Sequence, residues 1–108
     1  MDPAQITELD ALEAALSSDR FLLFKHSKVC PVSSRAFAAY VQFASENPDV
    51  PTGWIDVIGQ RPWSQKVAGD TGITHQSPQA LYISGGKVVW DESHLAITAD
   101  ALADAVAD

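Results

Sequence analysis

One cysteine, Cys30, is preceded by Lys25, His26, Ser27, Lys28 and Val29 and followed by Pro31, Val32 and Ser33. Residues of these types in this order describe a sulfur nucleophile. A thiol attacks a disulfide only as the thiolate, and an ordinary cysteine is mostly protonated at neutral pH. Pro31 suits the first position of a helix, because the N–H it lacks would have no partner there. Cys30 then lies at a helix N-terminus, where backbone N–H groups and the positive end of the helix dipole favour an anion. Ser33, about one turn along, can donate a hydroxyl hydrogen bond to the sulfur, and His26, Lys25 or Lys28 add positive charge if they turn towards it. Each effect favours the charged form. The bland alternative for a lone cysteine is a small buried hydrophobe. A Cys-Pro helix start directly after an apolar run favours the reactive sulfur instead.

Ser33 also matters for what it replaces. In a Cys-x-x-Cys motif the second sulfur resolves a mixed disulfide internally. With serine at that place and no other cysteine in the chain, a second thiol has to come from outside. The plain alternative for Ser33 is an ordinary first-turn helix residue. Arg35 raises the possibility of a phosphate-cradling loop, but such a loop needs five residues between cysteine and arginine, whereas Pro31 to Ser34 make four. Pro31 also removes an N–H that the loop would use. His26, His75 and His94 show no His-x-x-His spacing, so no zinc site is expected. They read as structural or peripheral, with His26 the best placed to affect Cys30. Trp54 and Trp90 read as packing residues, and Trp63 as the tryptophan to watch for substrate contact.

The elements that must position these groups follow from pattern. Thr7 can cap a helix carrying Leu9, Leu12 and Leu16. Phe21-Leu22-Leu23-Phe24 is a continuous apolar run, as in a strand buried on both faces. A second helix starts at Pro31, carries Phe37, Tyr40, Val41 and Ala44, and closes at Asn47-Pro48. Trp54–Ile58 reads as a strand, and Pro62–Ala68 as a short helix ended by Gly69 or Gly72. Ala80–Ile83 and Lys87–Trp90 flank Ser84-Gly85-Gly86, a hairpin signal. A last helix begins near Thr98 and carries Leu102 and Val106. This order predicts one α/β domain over residues 1–108, with a mixed four-stranded sheet between helices.

The 108 residues allow one modest core, and 46% hydrophobic residues are ordinary for a globular chain. A net charge of −7 without a basic stripe argues against nucleic acid and anionic membranes as partners. No apolar run approaches the roughly 20 residues of a membrane span. The acidic Met1–Gln5 start lacks the order of a secretory signal, so a cytoplasmic protein is expected. Nothing in the pattern requires more than a monomer.

The order of elements, with a cysteine between the first strand and its helix and a proline leading the later hairpin, resembles the thioredoxin arrangement. The local words are more specific. Phe24-Lys25-His26-Ser27 with Cys30-Pro31-Val32-Ser33, then His75-Gln76-Ser77-Pro78-Gln79, Gly86–Trp90 and Ser93-His94, resemble the YtxJ-like family of monothiol bacilliredoxins. The resemblance runs from about Phe24 to His94. It implies a thioredoxin-like fold with an extra N-terminal helix and a thiol–disulfide oxidoreductase that removes bacillithiol from protein mixed disulfides through Cys30. Bacillithiol is then a co-substrate, with no bound cofactor, and bacillithiol or another external thiol is the reductant. Pro31, Ser33 and His26 would stabilise the thiolate. A cis Ser77–Pro78 bond would face Cys30 and offer the Ser77 backbone to an extended substrate. The family motif Cys-Pro-Ile-Ser has Val32 here for isoleucine, and Val29 stands where a small polar residue is expected, removing a hydroxyl. Rival readings are a monothiol glutaredoxin-like iron–sulfur or thiol carrier, whose Cys-Gly-Phe-Ser motif differs at Pro31 and Val32, and an inactive thioredoxin-like interaction domain.

Overall fold

The apolar run at Phe21–Phe24 is the middle of strand β1, Arg20–His26, in the computed structural model, which describes residues 2–107. From Leu22 to His26 every residue of this strand is buried. Helix α1, Leu9–Leu16, precedes it. After it come α2, Pro31–Glu46; β2, Thr52–Asp56; α3, Arg61–Thr71; β3, Gln79–Ser84; β4, Lys87–Ser93; and α4, Ala99–Val106. A single 3-10 turn, His94–Ala96, separates β4 from α4.

The sheet order is β2-β1-β3-β4. Strand β1 runs parallel to β2 and antiparallel to β3, and β3 pairs antiparallel with β4. A parallel neighbour cannot be reached by a tight turn, and α2 supplies the crossover. Side chains alternate across β1, so both of its faces need cover. Leu22 and Phe24 pack with Ala36, Tyr40 and Phe43 of α2 and with Leu102 and Val106 of α4. Leu23, with Ile55, Leu81 and Ile83 of neighbouring strands, packs against Leu12 of α1 and Val67 of α3. Burial on both faces accounts for a run without alternation.

The buried Tyr40 hydroxyl fastens β1 to β2: it lies 2.7 Å from the Leu22 carbonyl and 2.8 Å from that of Gly53, and accepts the Gly53 N–H at 2.9 Å. At the outer edge of β2, Trp54 N–H donates to Ala4 O and Ile6 N–H to Trp54 O, so an extended N-terminal segment covers that edge. The β3–β4 hairpin turns through Gly85 and Gly86 at φ +60° and +75°, the left-handed pair such a turn requires.

Three local expectations change. The N-cap of α1 is Glu8 rather than Thr7, and no side chain bonds to that helix start. Strand β2 lies two residues earlier than Trp54–Ile58, because the Asp56 carboxylate accepts the Ile58 N–H at 3.1 Å and turns the chain. Helix α3 runs past Gly69 and ends where Gly72 takes a left-handed φ of +73°. The expected cap of the last helix is present, with Thr98 Oγ1 accepting the Ala101 N–H at 3.1 Å.

Candidate active site

The C-terminal ends of parallel β1 and β2 and the N-terminal end of antiparallel β3 meet at one edge of the sheet: His26 pairs with Asp56, and Lys25 with Gln79. The loops leaving these ends carry Cys30, the turn at Val57–Gln60, and Pro78. Cys30 is the N-cap of α2, with extended backbone at φ −104° and ψ 120°, and Pro31 opens the helix. An N-cap side chain is the group that ordinarily accepts the free N–H groups of the first turn. No side chain makes that bond here, and the first turn has no acidic residue, so the helix start favours an anion at this position. Cys30 itself is half-buried and free. Its N–H reaches Ser27 O at 3.4 Å, and its carbonyl accepts from Ser34 N–H at 3.0 Å.

Ser33 is completely buried. Its hydroxyl oxygen accepts the Ser27 N–H at 2.8 Å and lies 2.8 Å from His26 Nδ1. The hydroxyl at the place of a resolving sulfur therefore pins the loop before Cys30 to β1. His26 is stacked on Phe37 with ring centroids 4.3 Å apart and meets Trp54 edgewise at 5.4 Å. Burial pushes its pKa below the ordinary value, with Asp56 opposing the shift and Lys28 adding to it. Two proton arrangements suit this contact. If neutral His26 carries its proton on Nε2, Ser33 donates to Nδ1 and has no proton left for the sulfur. If Nδ1 is protonated, Ser33 accepts twice and its own proton is free.

The lysines near Cys30 are engaged elsewhere. Lys25 lies on the opposite face of β1, fully buried, with Nζ donating to Gln79 Oε1 at 3.0 Å. Burial lowers its pKa to about 8. Lys28 pairs with Asp56 at 3.8 Å and lies over the Trp54 ring, which ties the Cys30 loop to the end of β2. Val29 is 79% exposed, so an apolar side chain faces solvent directly before the sulfur.

The Ser77–Pro78 peptide bond is cis. Pro78 is buried and its carbonyl accepts the His94 N–H at 3.0 Å, while the Ser77 hydroxyl is buried without a partner. Gln79 anchors the preceding loop by donating from Nε2 to Thr74 O at 3.1 Å. His75 is exposed over much of its surface, but partial desolvation of its ring, with the charges of Lys25 and Arg61, lowers its pKa. Trp63 packs, partly buried, against the core on the α1–α3 side. His26 and Ser33 are thus brought together beside Cys30, and Ser77 and Pro78 lie at the same end of the sheet. Sequence reasoning missed the buried Lys25–Gln79 pair, although both stand inside recognisable words, Lys25 after Phe24 and Gln79 after Pro78. Among the described residues, no group of three or more His, Cys, Asp or Glu is placed to hold a metal ion, and no helix is long and apolar enough to cross a membrane.

The model of the family described as monothiol bacilliredoxin BrxC matches residues 4–102, nearly the whole chain. The chain belongs to the monothiol bacilliredoxin family. Among solved structures, one described as a candidate oxidoreductase with a thioredoxin fold is 31% identical, with a TM-score of 0.86 over 94% of this chain and 92% of that one. Thioredoxin from Trypanosoma brucei brucei (16% identical, TM-score 0.76, covering 98% of this chain and 92% of that one) shares the fold. So does oxidised thioredoxin from Plasmodium falciparum, at 14% identity and TM-score 0.74 over 96% and 93% of the two chains. This bacilliredoxin-family chain therefore has a thioredoxin-like fold and is a thiol–disulfide oxidoreductase. The single sulfur at a proline-started helix is the chemistry that such an activity needs.

Proposed function

We propose that this protein removes bacillithiol from proteins that carry it as a mixed disulfide. The observation that carries the reading is the pairing of Cys30 at the N-cap of α2 with a buried Ser33 where a second sulfur would sit. The Cys30 thiolate attacks the bacillithiol sulfur of the mixed disulfide. A new Cys30–bacillithiol S–S bond forms, the old bond breaks, and the protein leaves as a thiolate that takes a proton from water. Because the chain has one cysteine, the second step uses an external thiolate, from bacillithiol or a partner protein. That thiolate attacks the bacillithiol sulfur, forms a disulfide with it and releases the Cys30 thiolate.

Pro31 opens α2 at a position whose N–H would have no helical partner, and the uncapped N–H groups of the first turn behind it support the anion. His26 and Ser33 hold the Cys30 loop, and the backbone of Ser77 beside cis-Pro78 is available to pair with an extended substrate. Trp63, on α3 and packed partly buried against the core, is not given a substrate contact in this reading. A reducing compartment, the cytoplasm, suits a sulfur regenerated by free thiols. No bound cofactor, metal, nucleic acid, membrane or second copy of the chain enters the reaction.

The test is one carrier protein modified at a single cysteine with either bacillithiol or glutathione, each incubated with this protein and excess bacillithiol. Faster release of the bacillithiol adduct is expected. Equal release, or preference for glutathione, would overturn the choice of small thiol.

A further inference from the structure

A cleft of about 770 Å³ opens between the turn after β2, α3 and the loop before Pro78, lined by Val57, Ile58, Arg61, Ser64, Ala68 and His75. Its volume is in the range of small-molecule sites. Val57 joins it to the sulfur's end of the sheet by donating its N–H to His26 O at 3.0 Å.

Three observations give the cleft a chemical preference. Ser64 is only 3% exposed, and its hydroxyl has no hydrogen-bond partner. A buried polar group left unpaired is costly, and an occupant that accepts from it removes the cost. Arg61 has no ion-pair partner among the described residues. His75 faces the same cleft, and the two charges that act on it, Lys25 and Arg61, are both positive. In a chain of net charge −7, the cleft carries the positive Arg61 beside a buried, unpaired hydroxyl and no acidic side chain. Val57, Ile58 and Ala68 add apolar walls, which suit the carbon chain of an organic acid better than an inorganic ion.

We propose that this cleft binds the carboxylate end of the small thiol exchanged at Cys30, with Arg61 and Ser64 as its ligands. The assignment rests on the bacillithiol reading above, since bacillithiol ends in a malyl dicarboxylate. Arg61 and Ser64 are then specificity-determining residues that hold the thiol while its sulfur is displaced. Gln79, fixed by Lys25 and bonded to Thr74 O, keeps the His75 wall in place.

The test has two arms. In the first, the full chain carrying Cys30→Ala is titrated with L-malate, its neutral diamide and inorganic phosphate, and backbone amides are followed by NMR. Malate is expected to shift Arg61, Ser64 and His75 saturably and more tightly than phosphate, and the diamide to leave them unmoved. In the second, carrier protein modified with bacillithiol or with cysteamine, which has no carboxylate, is treated with otherwise native protein, Arg61→Ala or Ser64→Ala. Loss of a charge-assisted hydrogen bond predicts about a tenfold rise in KM for the bacillithiol adduct in Arg61→Ala, with kcat and the cysteamine reaction unchanged. Ser64→Ala is expected to change the same KM in the same direction.

Absence of a malate response, or equal effects of Arg61→Ala on both adducts, would overturn the cleft while leaving exchange at Cys30 intact. Equal binding of phosphate and malate would mark the cleft as a general anion site and overturn it as well. If malate binds but the native protein leaves bacillithiol adducts untouched, the bacillithiol reading fails and takes this assignment with it.

Discussion

Replacing Ser33 with alanine separates two roles for the hydroxyl that stands where a resolving sulfur would be. In the structure that hydroxyl is fully buried and serves two groups, the Ser27 N–H and His26 Nδ1, each at 2.8 Å. Its removal orphans both in the interior. An unsatisfied buried polar group costs about 1–3 kcal/mol, and His26, at 7% exposure, recovers little from water. The expected loss of stability is about 2–4 kcal/mol, a large part of the roughly 5–15 kcal/mol that holds a small domain together. For a chain of this size each kcal/mol lowers Tm by about 4–8 °C, so the melting point should fall by roughly 10–25 °C. Urea unfolding followed by tryptophan fluorescence measures the loss, provided the slope with denaturant is unchanged. A loss below about 0.5 kcal/mol, together with slower alkylation of Cys30, would refute the pinning role and return Ser33 to the sulfur.

Three further expectations concern groups the fold buries. The fall of the Lys25 pKa from 10.5 to about 8 corresponds, at about 1.36 kcal/mol per pH unit, to roughly 3 kcal/mol of destabilisation while the amine is charged. Between pH 8 and 10.5 the unfolded chain holds the proton more tightly, so stability rises with pH. Lys25→Met should be more stable than the native chain at pH 7 and lack that rise, and a less stable variant would contradict the account. His26 has the same sign at lower pH: its depressed pKa means stability is present above 6.5 and falls as acid protonates the unfolded chain first. In chemical denaturation across this range, His26→Phe should lose less stability below pH 6.5 than the native chain, and equal losses would assign the acid sensitivity elsewhere. Tyr40→Phe leaves the Gly53 N–H without its hydroxyl acceptor and removes the donor shared by Leu22 O and Gly53 O. A cost of about 1–3 kcal/mol is expected by thermal denaturation, with a negligible change as the refuting result.

Much of this was legible in the sequence because it depends on neighbours along the chain. Cys30-Pro31 marks a helix start by local chemistry, Phe21–Phe24 marks a doubly buried strand, and Gly85-Gly86 marks its turn. The contacts that decide side-chain roles are not local. Ser33 meets His26 only because β1, its loop and α2 fold back on one another, and a serine three residues after a cysteine is equally compatible with bonding the sulfur. Lys25 reads as a charge beside the site, yet strand alternation carries it to the face opposite His26, where Gln79 from β3 receives it. Arg61 and Ser64 carried no signal at all. A serine in the first turn of a helix becomes notable only when its hydroxyl is seen buried and unpaired. The end of β2 was misplaced for a related reason: Trp54–Ile58 is apolar enough to continue, and the Asp56 side chain stops it.

The central claim is that one sulfur, Cys30, takes the small thiol onto itself and stops there until another thiol arrives. Its most direct test is intact mass measured on both proteins after a bacillithiolated carrier is mixed with an equimolar amount of this chain, with no other thiol present. The account predicts that the carrier loses its adduct and that one bacillithiol appears on this chain at Cys30, with no further turnover until bacillithiol or a partner thiol is added. A Cys30→Ala chain should leave the carrier unchanged. Release of the adduct by Cys30→Ala, or release without a matching mass gain on Cys30, would contradict the claim.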